Sequence, residues 1–227
     1  MLRLGIVLAV VGALQFLVMS SWAMVYYPGG TIMDRQREGY SFFSNYFSDL
    51  GRRRAWNGQS NARSNALYIP SLIVAGSTLS VFFLLLPGLF EGPESRSLAL
   101  GAALAGLLAS SCYIGIALTP LDRFYSWHTL FVRAGFIAFL VMCYFYAAAI
   151  FRDRAYPNRF GNIIIGFSAL LLMQILIMLF GPRSWHSPGA LLLQASAQKL
   201  VVYAEMACMI ILAIGAYRHA SRGRADT

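Results

Sequence analysis

Residues 28–66, PGGTIMDRQREGYSFFSNYFSDLGRRRAWNGQSNARSNA, are the one long polar segment of the chain, set between two apolar runs. Six of the eighteen basic residues fall in it: Arg35, Arg37, Arg52, Arg53, Arg54 and Arg63. It is also aromatic (Tyr40, Phe42, Phe43, Tyr46, Phe47, Trp56), which a disordered linker is not. The segment therefore reads as a folded loop lying on a membrane face. Within it, residues 40–50 are expected to form a short interfacial helix with Phe43, Phe47 and Leu50 on one side and Gly51 as its stop.

The rest of the chain gives that reading its context. Of its 227 residues, 58% are apolar and 12% charged, against roughly 25% charged in soluble domains. A bilayer crossing takes about 20 apolar residues, and runs of that length recur at about 4–26, 67–86, 97–118, 129–151, 162–180 and 198–217. Pro28-Gly29-Gly30, Pro87-Gly88, Thr119-Pro120 and Gly181-Pro182 close four of them. Trp22, Tyr26 and Tyr27 cluster where the first run should meet the interface. That first run is too long for the apolar core of a signal peptide and reads as a retained helix. The expected fold class is all-α: a polytopic membrane protein, one six-transmembrane-helix bundle over 1–227 with a structured first extramembrane loop at 28–66.

Charge bounds partners and orientation. The net charge of +9 is almost wholly arginine, Lys199 being the one lysine, and it fits anionic lipid headgroups as partners. Nucleic acid is excluded as a partner because no soluble domain exists to carry it. Eight basic residues (Arg3, Arg96, Arg152, Arg154, Arg159, Arg218, Arg222, Arg224) lie on the side of both termini and ten on the other. Setting aside the six first-loop arginines as binding residues leaves four there, which puts both termini in the cytoplasm of a bacterial inner membrane. Cys112, Cys143 and Cys208 all sit inside apolar runs, so no disulfide framework is implied.

Three groups of residues could carry chemistry. In the loop, Arg35, Arg37, Arg52, Arg53 and Arg54 could offer forked donors to a phosphate, with Asn45 and Asp49 fixing the backbone; the alternative is a solvated charge run that sets topology. Inside the helices, Arg133 and Glu205 enter from the same face at similar depth. A charge near the bilayer centre costs roughly 2.5–3.5 kcal/mol, so they are expected to form a buried ion pair. It would either clamp two helices together or line a polar cavity. Finally, His128, Asp122 and His186 are candidates for acid–base work on one membrane face. No HxxxH, HExxH, CxxC or GxSxG occurs, so neither a metal nor a cofactor is implied and no hydrolase triad is supported.

The order of motifs is itself informative: Asn45-Tyr46-Phe47-Ser48-Asp49-Leu50-Gly51, then Asn61 to Asn65 leading the second helix, Thr119-Pro120-Leu121-Asp122 with His128, and Gln198-Lys199 opening the sixth. This pattern resembles the six-span prokaryotic family catalogued as domain of unknown function 998. Ser48, Asp49 and Gly51 also look like the Ser-Asp-x-Gly element of a eukaryotic six-span group containing the GPI-anchor remodelling factor and the damage-regulated autophagy modulators. That more remote likeness implies a role near lipids and transfers no reaction. Three functional readings follow: a protein binding lipid headgroups at an extracytoplasmic polar cap, an accessory subunit whose cap docks on a protein partner in a membrane complex, and an intramembrane lipid-modifying enzyme.

Overall fold

Six long apolar stretches need their backbone groups paired internally once they leave water, and helices do this within each segment. The computed structural model describes residues 2–222. Its long helices are α1 (Leu2–Val25), α3 (Ala62–Leu85), α4 (Pro93–Leu118), α5 (Tyr125–Arg152), α6 (Asn158–Phe180) and α7 (Pro188–Arg222), with the single turn α2 (Phe47–Leu50) in the first loop. All six long helices are apolar enough to cross a membrane, and the chain is an integral membrane protein. A 3₁₀ turn, Leu86–Leu89, extends α3 to the short loop before α4.

The long helices form a closed ring in chain order: each packs on the next, and α7 returns to α1. Antiparallel succession leaves the first loop, the α4–α5 turn and the α6–α7 loop together on one side. The start of α1 and the end of α7 lie on the other, where the Arg3 guanidinium sits 5.5 Å from the centre of the Tyr217 ring. Small residues permit the close approaches. Gly76 on α3 meets α4 so tightly that a Cβ there would lie 2.9 Å from the Ser110 carbonyl oxygen. Gln15, midway along α1, crosses to α3 and donates to the Ser71 carbonyl at 2.7 Å, the kind of interhelical bond that lipid cannot supply. Toward the termini the ring is filled by Phe82, Phe83, Phe139 and Phe167, all buried; Phe83 meets Phe139 edge-on, and so does Phe167.

Two expectations from sequence are corrected here. The interfacial helix over 40–50 shrinks to the one turn of α2, and its Phe47 and Leu50 are buried rather than laid on a lipid surface. The loop folds into the mouth of the ring instead of along the membrane. The last helix begins at Pro188, ten residues before the expected start at Gln198, because Pro188 and Gly189 sit in its first turn, where proline is tolerated.

Gly76→Leu should drive side-chain atoms into the α4 backbone at a site that cannot give way. Overpacking of this kind costs about 1–3 kcal/mol, so the variant should show a lower midpoint in thermal denaturation of the detergent-solubilised protein.

Candidate functional site

The cap is built around one carboxylate. Asp49 is buried, and its Oδ2 accepts from the Asn45 side-chain amide at 3.0 Å and the Tyr46 backbone N–H at 2.9 Å, while Oδ1 accepts from the Trp56 indole N–H at 2.8 Å. Burial pushes its carboxyl up from the ordinary range, against the pull of these three donors and of Arg52. Asn45, itself fully buried, spends its second N–H on the Gly30 carbonyl at 2.9 Å and accepts from Ser41 N–H at 2.9 Å. Asn61 gathers the carbonyls that end α2, donating to Asp49, Leu50 and Arg52. Gly30, at φ +82°, lies so close to Trp56 that a Cβ would sit 2.8 Å from that residue's own. The Arg35 and Arg52 guanidiniums lie 4.4 and 3.8 Å from the Trp56 ring centre.

Successive residues of α7 bind this cap from the far side of the ring. Gln198 Oε1 accepts from Phe47 N–H at 3.0 Å. The Lys199 ammonium, buried, donates to the Asn45 carbonyl and lies within 5.3–5.8 Å of the Tyr40, Phe42 and Phe47 ring centres. On the third side, both oxygens of Asp122 accept from the backbone N–H groups of Arg53 and Arg54. The Tyr46 phenol, pushed up to about 12 by burial, shares a hydrogen bond with Ser184 in the α6–α7 loop.

Beneath this roof lies a half-open chamber of about 650 Å³, with mixed polar and apolar walls, between α5, α6, α7 and the cap. Its walls carry three guanidiniums (Arg52, Arg133, Arg183) with His128, Gln174 and Gln198. Arg133 has no hydrogen-bonding or ion-pair partner among the described residues, and its side chain is exposed. His128 is buried; its Nδ1 lies 2.7 Å from the Thr119 carbonyl, and its Nε2 is buried without a partner. Gln174, also buried, leaves its Oε1 unpartnered. A second, apolar cavity of about 70 Å³ adjoins it, lined by Phe16, Leu72, Leu79 and Met206 among others, with Tyr113 and Glu205 as its polar lining. The two spaces share Ser48, Val132, Phe136 and Gln198 as walls.

The expected Arg133–Glu205 ion pair is not formed. Glu205 takes a hydrogen bond from the Tyr113 hydroxyl at 2.6 Å, tying α4 to α7 across the ring, while Arg133 stands at the chamber wall. The reason is the face of α5 that each residue occupies: Val132 and Phe136 line the apolar cavity with Glu205, while Arg133 lines only the chamber. Of the loop arginines expected to hold a ligand, only Arg52 reaches the chamber. Arg35 donates to the Trp56 carbonyl and Arg54 to the Gly58 carbonyl; Arg37 and Arg53 are exposed. Asn45 and Asp49 hold the loop. His128 and Asp122 share the chamber, but the Asp122 carboxylate is engaged by two backbone N–H groups, and His186 is exposed against Trp185 outside the chamber. Arg183 and Gln174 join the site with no local signature, while Gln198, in the motif that leads the last span, lines both cavities. His219, which reads from sequence as a solvated tail residue, instead stacks on Tyr156 at 4.5 Å and bonds the Leu89 carbonyl.

A known protein family, described as "Protein of unknown function (DUF998)", matches residues 22–215. No curated protein and no solved structure matches the chain.

Asp49→Asn should replace an acceptor with an N–H that faces a donor. An unmet buried polar group costs about 1–3 kcal/mol. The variant should therefore lose thermal stability, with a red-shifted Trp fluorescence as Trp56 loses its partner; an unchanged melting curve would show that the cap does not depend on this carboxylate.

Proposed function

The chain belongs to the DUF998 family, and we propose that it binds the phosphate-bearing headgroup of a membrane lipid in the chamber under its cap. The observation that carries this reading is the Arg133 guanidinium, without a partner among the described residues, on the same wall set as Arg52 and Arg183. Guanidinium groups present planar forks that match phosphate oxygens, and three of them around one space would repel each other without an anion between them. The apolar cavity that shares a wall with the chamber supports a ligand with a hydrocarbon part, which a lipid has and a soluble anion does not.

In this reading the cap faces the extracytoplasmic side of a bacterial inner membrane, with both termini in the cytoplasm. The cap's own bonding supports setting its arginines aside in the charge count: Arg35, Arg52 and Arg54 each donate to a loop carbonyl, so they serve the fold of the cap rather than topology alone.

Arg133→Ala should leave the cap network intact, since Arg133 takes no part in it, and should cut the phospholipid that co-purifies in mild detergent by roughly tenfold, the scale of one charge-assisted contact pair. Native mass spectrometry of the wild type and variant reads this directly. Equal phospholipid on both would remove the headgroup site; a stoichiometric protein partner with no lipid on either would favour an accessory subunit instead.

A further inference from the structure

Resting on the headgroup reading, the chamber's hydrogen-bonding inventory narrows the kind of headgroup. Arginine side chains only donate, so Arg52, Arg133 and Arg183 can meet acceptors, such as phosphate oxygens, but cannot serve as acceptors themselves. His128 presents the opposite need. The Thr119 carbonyl can only accept, so the nitrogen 2.7 Å from it, Nδ1, carries the proton; in the neutral ring Nε2 is then an acceptor, and it is buried with no donor. Gln174, on α6, also lines the chamber, is buried, and has an oxygen with no donor. Two buried acceptors without donors, on residues that line an arginine-bearing chamber, favour a ligand that donates as well as accepts.

We infer that the chamber takes a phosphodiester carrying free hydroxyl groups, of the phosphoglycerol or phosphopolyol class, its phosphate on the guanidiniums and a hydroxyl donating to His128 Nε2. The alternatives fail on charge or on donors. A bare phosphate monoester, held as the dianion by three guanidiniums, and a phosphocholine bring no O–H or N–H for His128. A phosphoethanolamine does bring N–H donors, but its ammonium would stand among three guanidiniums, with the nearest lining carboxylate, Asp122, already bonded to Arg53 and Arg54. A hydroxyl donates without adding charge.

The test pairs two lipids of equal charge and equal chains, one with hydroxyls and one without. Delipidated protein in detergent is given an equimolar mixture of dioleoyl phosphatidylglycerol and dioleoyl phosphatidylpropanol, and bound lipid is read by native mass spectrometry. The wild type should retain phosphatidylglycerol about tenfold over phosphatidylpropanol, the scale of one buried acceptor met or unmet. His128→Ala and, as a separate variant on another helix, Gln174→Leu should each shrink that ratio while leaving phosphatidylpropanol retention unchanged. A wild-type ratio near one overturns the inference, as does a ratio that both variants leave intact. The headgroup reading stands or falls on a different arm: Arg133→Ala must lower both lipids together. If glycerophosphoglycerol, the same headgroup without chains, raises the melting midpoint while neither lipid is retained, the hydroxyl-bearing phosphodiester stands and its source is a soluble ester.

Discussion

The buried Asp49 carboxylate is the constraint on which the upper half of the molecule depends. A carboxylate taken out of water costs several kcal/mol unless its oxygens are met by donors, and here the donors come from a side chain four residues before it, a backbone N–H three before and an indole seven after. Meeting them forces residues 45–56 to close on themselves. Once closed, the loop presents the Phe47 N–H and the Asn45 carbonyl to Gln198 and Lys199 of α7, and the Arg53 and Arg54 N–H groups to Asp122. One satisfied carboxylate thus sets the contacts that fasten a loop to three sides of the helix ring.

The ring has the complementary property. Six helices packed each on its neighbours surround a centre that side chains fill toward the termini, where Phe82, Phe83 and Phe139 are buried, and leave open toward the cap. The open part grades from polar to apolar over a few residues of α5 and α7. Arg133 and His128 face the chamber near the cap, Val132 and Phe136 border both spaces, and Glu205 lines the apolar one, bonded to Tyr113. That gradient follows the one a lipid carries from headgroup to chain, and it puts the charged groups where the bilayer's own interface makes them least costly.

Much of this was legible in the chain. Length and hydropathy determined six spanning helices, their order and the shared side of the two termini, because each span must satisfy its backbone alone and succeeds or fails on its own composition. The aromatic, arginine-rich character of residues 28–66 determined that the loop folds, and the short motifs around Asn45, Asp49, Asn61, Asp122 and Gln198 marked the residues that now meet in it. What sequence could not supply was their partners. Asp122 reads as an acid beside His128 and turns out to cap a loop 69 residues away. The Arg133–Glu205 pair followed from matching depth alone, whereas Glu205 meets Tyr113 of α4 and Arg133 lies on a face of α5 that lines only the chamber. Only the tertiary structure decided which arginine faces a cavity and which is spent on a carbonyl: a guanidinium's role is fixed by the groups within about 3 Å of it, and those arrive from helices far apart in the chain.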